Sequence, residues 1–213
     1  MLISGFDKVT LLNYPGLVAC TIFTKGCNLK CPFCHNSSLI SGNDDTYIDE
    51  DEIFKYLNKR KNIIEGVCIS GGEPLLQKDI KEFIRKIKSL GLKVKLDTNG
   101  TNPDLILSLI NDNLLDYIAM DIKNIKSKYE LTSGAKVKID NILKSINIIE
   151  NSGIDYEFRT TIIKEFHTLS DIDYISKKLD KKSKYYIQNF VKSDAVLDKN
   201  LHSFTSDELK EMK

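Results

Sequence analysis

Short apolar runs alternate with stretches of helical periodicity along almost the whole chain, and this alternation restricts the fold more than any other feature. Strands are expected at Gly16–Thr24, Glu65–Ser70, Leu92–Leu96, Asp116–Ile122, Ile154–Ile163 and Tyr185–Phe190. Between them, Asp49 and Glu52 suit a capping box for a helix to Arg60 that carries Ile53, Tyr56 and Leu57 on one face. Leu76, Ile80, Phe83, Ile84 and Ile87 recur at helical spacing and stop at Gly91, where a left-handed C-terminal residue belongs. Asn102-Pro103 offers a cap and a first-turn proline for a helix to Leu109. The stripe Ile139, Ile142, Leu143, Ile146, Ile149 ends before Gly153, another helix starts near Ser170, and Thr205–Lys213 reads as a terminal amphipathic helix. Six strands, each separated from the next by a helix or a long loop, predict a parallel α/β arrangement with right-handed crossovers.

An open doubly wound sheet and a barrel both satisfy that pattern, and the polar residues help to decide. Thr24-Lys25, Ser70-Gly71-Gly72-Glu73, Asp97-Thr98-Asn99, Asp121 with Lys123, and Gln188-Asn189 all fall at or just beyond the C-terminal ends of strands. β/α barrels gather their reactive loops on that face, and a full eight-stranded one takes about 250 residues. With 213 residues, the expectation is a partial (β/α)6 barrel of parallel strands. It would form a single domain over 1–213, with an N-terminal extension 1–15, a core 16–190 and a tail 191–213.

The charge balance, 31 basic against 30 acidic residues, gives no support to bulk binding of nucleic acid. Only Arg60, Arg85 and Arg159 are arginines. Met1-Leu2-Ile3-Ser4-Gly5-Phe6 lacks the charged and apolar regions of a secretory signal, and no apolar run approaches the ~20 residues that span a bilayer. A cytoplasmic protein is expected. In that reducing setting its five cysteines suit metal binding or catalysis better than disulfides.

Cys27, Cys31 and Cys34 stand on the loop after the first expected strand, at spacings of four and three residues. Thiolates so spaced can wrap one metal centre. An iron–sulfur cube usually takes four cysteines, so three would leave one iron open for chemistry. Other readings compete. His35 could complete a structural zinc site; Cys31–His35 matches the C-x-x-C-H pattern of haem attachment; a thioredoxin-like pair Cys31/Cys34 would leave Cys27 unexplained. An inert buried trio conflicts with the polar neighbours Lys25, Asn28 and Lys30. The open cluster accounts for most of the pattern.

C-x3-C-x2-C with the aromatic Phe33 before the last cysteine resembles the signature of the radical S-adenosylmethionine superfamily. Within it, Tyr14-Pro15-Gly16, Thr24-Lys25-Gly26-Cys27 and Cys34-His35-Asn36 are similar to segments of glycyl-radical-enzyme activating proteins, most of all those of anaerobic ribonucleoside-triphosphate reductase. The resemblance implies a [4Fe-4S] cluster on Cys27, Cys31 and Cys34 whose open iron is chelated by S-adenosylmethionine. One electron would then release a 5′-deoxyadenosyl radical, which takes hydrogen from a glycine of a partner enzyme. A flavodoxin- or ferredoxin-type donor is implied, as are activators of pyruvate formate-lyase or related enzymes as an alternative identity. A further alternative keeps the cofactor and acts on a small molecule.

The resemblance also assigns cofactor-binding residues. Phe33 belongs to the cluster loop, and Gly71, Gly72 and Glu73 would meet the methionyl amino group through carbonyls or the Glu73 carboxylate, against the alternative of an ordinary glycine turn. Asp97, Thr98, Asn99, Asp121 and Lys123 gather oxygen groups at neighbouring strand ends. Two carboxylates there would repel unless Lys123 or a monovalent cation lay between them, and similarity to pyruvate formate-lyase activating enzymes suggests the cation. Helix capping by Asn99 and Asp121 is the plainer account. Arg159, inside a strand, needs an anionic partner: the cofactor, or Asp97 or Glu157 in a salt bridge. Cys20 and Cys68 read as small core residues, and His167 and His202 as surface ones.

Overall fold

The strands pair in the order in which the chain makes them. In the computed structural model, which describes residues 1–41 and 47–211, seven strands form one sheet in the order β1 to β7. These are β1 (Ile3–Thr10), β2 (Ala19–Thr24), β3 (Gly66–Gly71), β4 (Lys93–Thr98), β5 (Tyr117–Asp121), β6 (Asp155–Ile162) and β7 (Tyr185–Asn189). From β2 onward every neighbouring pair is parallel. β7 pairs only with β6 among the described residues, so the sheet curls without closing, as the partial barrel requires.

β1 departs from the expected six strands. It lies in the segment read as an extension and runs antiparallel to β2 at the sheet edge. Two register shifts, between Ile3 and Gly5 and between Asp7 and Thr10, break its alternation. Of its eight residues only Ile3 is fully buried, so the period of two that reveals a strand is nearly lost.

Eight helices surround or cap the sheet among the described residues: α1 (Ser38–Ser41), α2 (Glu50–Arg60), α3 (Ile80–Ser89), α4 (Pro103–Asn111), α5 (Tyr129–Ser133), α6 (Ile139–Glu150), α7 (Leu169–Lys178) and α8 (Ser206–Glu211). α3 buries Ile80, Phe83, Ile84 and Ile87, and Gly91 follows it at φ +78°. Asn102 caps α4 with Pro103 in the first turn, as expected. Asp49 caps α2 by accepting from the Asp51 amide rather than through a box with Glu52. The capping box forms at α7 instead, between Thr168 and Asp171. The last expected helix reaches Lys213, and residues 212–213 lie outside the described residues.

The parallel strands carry two different faces. Cys20, Ile22, Val67, Ile69, Val94, Leu96, Ile118, Met120 and Phe158 point outward and join the helices in the main apolar core. The alternate positions point into the barrel, and there Lys95, Asp97, Tyr117, Glu157 and Arg159 pair with one another. Cys20 is a core residue as expected. Cys68 lies buried on the inner face, where burial and then the nearby Asp97 carboxylate push its thiol up.

Candidate active site

The loop that leaves β2 carries Cys27, Cys31 and Cys34 to the rim of a cavity of about 210 Å³, which opens at the C-terminal ends of the strands. The loop is held from several sides. Leu29, Cys31 and Phe33 form a small apolar cluster with Ile163, Phe190, Val196 and Leu201. The Lys30 amide donates to Ser133 O at 3.0 Å, and the Asp198 amide to Pro32 O at 2.9 Å. His35 packs against Phe190 at 5.7 Å between ring centres, its Nδ1 3.3 Å from Ser193 Oγ.

All three thiols are free. Burial pushes Cys27 up to about 11 and raises Cys31 and Cys34, while Lys123 pulls all three the other way. The thiols also act on one another, Cys31 on Cys27 and Cys34 on Cys31. Among the described residues no three His, Cys, Asp or Glu side chains converge as ligands of a single ion would. That spacing does not suit a mononuclear zinc site. In a cube each cysteine binds its own iron corner, so the three sulfurs stay apart. Donor type, loop and shared cavity therefore fit a cluster with three cysteine ligands.

The turn after β3 seats this loop. A Cβ on Gly71 (φ +118°) would lie 2.2 Å from Thr24 N, and one on Gly72 would lie 2.0 Å from Gly26 O. Both contacts are with backbone. The two glycines are thus needed for turn-on-turn packing against the residues that lead into Cys27. Glu73 follows, only 1% exposed. Its carboxylate accepts from Thr98 Oγ1 (2.7 Å), the Asn99 amide (2.7 Å) and the Leu75 amide (3.2 Å). Burial pushes its pKa up to about 7 against the lowering effect of those donors. The carboxylate is committed within the chain. Asn99 in turn donates from Nδ2 to Asn28 Oδ1 at 2.9 Å, and Asn28 donates to Thr101 Oγ1 at 2.9 Å, which ties the cysteine loop to the end of β4.

A wall of charge faces the thiols across the cavity. Arg159 donates from Nε to Asp121 Oδ1 at 2.9 Å and lies 3.7 Å from Glu157 and 3.8 Å from Asp97. Lys123 pairs with Asp121 Oδ2 at 3.0 Å, with its ammonium 5.8 Å from the centre of the Phe33 ring. Lys95, 2% exposed, meets Asp97 Oδ1 at 2.5 Å. Burial alone would raise Asp121, but Lys123 and Arg159 overcome it and hold the carboxyl well below the usual range. The salt-bridge reading of Arg159 is realised, with Asp121 as the closest partner. The capping account fails for Asp121. Asn99 makes a tight local turn, accepting from the Thr101 amide at 3.0 Å, while Asn102 caps the helix.

His167 corrects the surface reading. It is 2% exposed, its Nδ1 accepts from the Ile163 amide at 3.2 Å, and Nε2 donates to Lys123 O at 2.9 Å. Such a residue shows no sequence signal, because its partners are backbone atoms, which any residue type supplies, and one of them lies on the segment after β5. His202 is exposed as expected, bonded to Glu165 at 2.7 Å. The cavity thus brings together Cys27, Cys31, Phe33, Cys34, Gly71, Gly72, Glu73, Asp97, Thr98, Asn99, Asp121, Lys123 and Arg159. Thr161 also lines the cavity, and Lys95 supports its wall through Asp97; neither was singled out by sequence, because strand periodicity alone cannot say which face looks inward.

Comparison with known proteins agrees with this geometry. Residues 21–175 match the Radical SAM superfamily. A Methanocaldococcus jannaschii protein, provisionally named a glycyl-radical enzyme activating enzyme, is 36% identical over 200 residues, covering 91% of this chain and 82% of that one. The pyruvate formate-lyase-activating enzyme of Clostridium pasteurianum is 27% identical over 184 residues, covering 83% and 74%. Among solved structures, Streptococcus suis SuiB bound to S-adenosylmethionine shares the fold with a TM-score of 0.68 at 18% identity, over 88% of this chain and 43% of that one. The chain belongs to the radical SAM superfamily, with relatives matched over most of their length among the glycyl-radical enzyme activating enzymes.

Proposed function

We propose that this protein activates a glycyl-radical enzyme, with Cys27, Cys31 and Cys34 holding a [4Fe-4S] cluster and S-adenosylmethionine at its open iron. The observation that carries the proposal is the shared cavity: three thiols on one loop face a wall of paired charges at the strand ends. When bound, the reduced cluster supplies the electron that cleaves the cofactor, and the organic radical so released takes hydrogen from a backbone glycine of the partner. The chain's own residues position and shield. Lys123 and Arg159 set positive charge beside the cavity, where the carboxylate of the cofactor needs a counter-charge. The carbonyls of the Ser70–Gly72 turn offer acceptors for its amino group, since the Glu73 carboxylate is taken up internally. Phe33 and the cluster around Leu29 keep water from the sulfurs.

Asp97 and Asp121 are bridged by Arg159, with Lys95 and Lys123 on their other oxygens. A monovalent cation beside the two carboxylates remains part of the reading. A change in cofactor affinity on exchange of sodium for potassium would support it, whereas no change would leave the lysines and Arg159 as the counter-charges. A single domain in the cytoplasm, served by a flavodoxin- or ferredoxin-type donor, completes the reading; no helix among the described residues is long and apolar enough to cross a membrane. Anaerobic ribonucleoside-triphosphate reductase is the partner proposed first, pyruvate formate-lyase the second. Anaerobic incubation of reconstituted protein, reductant and S-adenosylmethionine with each partner tests this. A glycyl-radical signal in electron paramagnetic resonance is expected with one of them. Cofactor cleavage that a metabolite stimulates and neither partner does would overturn it.

A further inference from the structure

His167 is 2% exposed and takes no part in the chemistry described above. Its ring joins two loops at the strand ends. Nδ1 accepts from the Ile163 amide at 3.2 Å, and Nε2 lies 2.9 Å from Lys123 O. A carbonyl only accepts, so these partners fix a neutral ring with its proton on Nε2. Burial lowers the pKa of the ring and favours the same neutral form.

This bond is one half of a crossed clamp. His167, in the loop after β6, gives its side chain to the Lys123 carbonyl. Asn124, in the loop after β5, gives its Nδ2 to the Phe166 carbonyl at 3.0 Å. Asn124 is only 3% exposed, so neither loop can shift without leaving a buried polar group unpaired. The turn that carries His167 also reaches the cysteine loop. The Phe166 and His167 amides donate to Ile163 O at 3.1 and 2.9 Å, and Ile163 belongs to the apolar cluster of Leu29, Cys31 and Phe33. Phe166 packs against that cluster. Residues 163–167 therefore span from the cysteine loop to the main chain of Lys123.

We propose that His167 is a positioning residue: through the Lys123 carbonyl it sets the Lys123 ammonium at the spacing from the cysteine loop that the cofactor carboxylate requires. One small molecule must meet the ammonium and the cluster together, so the distance between the two loops matters as much as the charge. The ion pair with Asp121, at 3.0 Å, holds only the tip of a flexible side chain. The clamp holds its root.

The inference rests on the reading of Lys123 as counter-charge to the carboxylate, and a double-substitution cycle on anaerobically reconstituted protein tests it. S-adenosylmethionine affinity is measured by equilibrium titration in wild type, Lys123→Met, His167→Leu and the double variant. His167→Leu alone should weaken binding roughly tenfold, as an impaired charge-assisted contact would, with iron and sulfide content unchanged. In the Lys123→Met background the same change should cost at most about twofold, because the ammonium that it places is gone. A residue that only braces the fold would cost the same in both backgrounds. An equal loss in the two, or no loss in either, overturns the positioning role and leaves the Lys123 reading standing. Full affinity in Lys123→Met overturns that reading and the inference with it. Should His167→Leu fail to fold, replacing His167 by thiazol-4-ylalanine keeps the acceptor nitrogen and removes only the donating N–H, and the same comparison of backgrounds decides.

Discussion

Gly72 is the point where the turn after β3 touches the approach to the cluster loop, and Gly72→Ala should damage both stability and metal binding. The new methyl would lie 2.0 Å from Gly26 O, about 1 Å short of the 3.0 Å that real contacts keep, and 2.6 Å from Gly26 C, also too close. Neither atom can rotate away, because both are backbone. Relief requires the Gly26–Cys27 segment to retreat, which also breaks the 2.8 Å bond from the Glu73 amide to Gly26 O. Overpacking costs about 1–3 kcal/mol and the bond about 1 kcal/mol, so the loss should be about 2–4 kcal/mol. With a urea slope of ~2–3 kcal/mol/M, the midpoint of anaerobic apoprotein unfolding should fall by about 1 M. Iron retained after desalting should fall as well, since Cys27 moves with its neighbour. Gly153→Ala is the control: φ is +74° but nothing lies within 4 Å, so only the left-handed backbone cost of about 1–2 kcal/mol applies and iron binding persists. A Gly72→Ala protein within 1 kcal/mol of wild type and fully loaded with iron would refute the packing argument.

Serine at Cys27, Cys31 or Cys34 should abolish the iron–sulfur absorbance, whereas Cys20→Ser should leave iron content near wild type; equal losses at all four would remove the distinction drawn between loop and core thiols. Arg159→Met strips Asp121 and Asp97 of a half-buried counter-charge while Lys123 and Lys95 stay in place, a change that costs about 1.5–3 kcal/mol. Asp121 sits below its unfolded value near 3.9, so its stabilisation is present above that pH and fades as pH falls; the variant should show a smaller gain in urea midpoint between pH 3 and 5. Glu73 has the opposite sign. Its pKa is raised from 4.5 to about 7, so the folded chain binds the proton more tightly and stability declines as pH rises across that window, by up to roughly 1.4 kcal/mol per unit. Glu73→Gln should flatten that slope in equilibrium unfolding, and an unaltered slope would show that the carboxylate ionises as freely as in water.

The parts of the molecule that sequence exposes are those written in local periodicity. β2 to β7, α3, α4 and α6 follow from alternation, apolar stripes and the Asn102-Pro103 and Gly91 signals. The three site cysteines and the polar strand ends are equally local, and they meet at one cavity because parallel strands deliver their C-terminal ends to the same face. What escaped depends on contacts between distant residues. β1 is bent by register shifts and solvated on its edge, so its pattern is weak. His167 looked like a surface histidine because the amide and carbonyl that hold it belong to Ile163 and Lys123. Gly71 and Gly72 are required by the packing of their turn against Thr24 and Gly26, a close approach that no local pattern announces. Arg159 was the balanced case; its nearest carboxylate is Asp121, its register partner on β5, where the sequence pointed to Asp97 or Glu157.

The strict β1-to-β7 order has a consequence for how the protein is made. Each strand docks beside the one synthesised just before it, so the sheet can grow as the chain emerges, without waiting for a distant segment to return. The three cysteines proposed to hold the cluster emerge early, at 27 to 34, but the elements that grip their loop come much later: the turn at 71–72, then Ser133 and Gly134, then Phe190 and Asp198. A nascent chain therefore displays its three thiols bare on the ribosome well before their housing exists, and cluster delivery has reason to follow release rather than accompany translation.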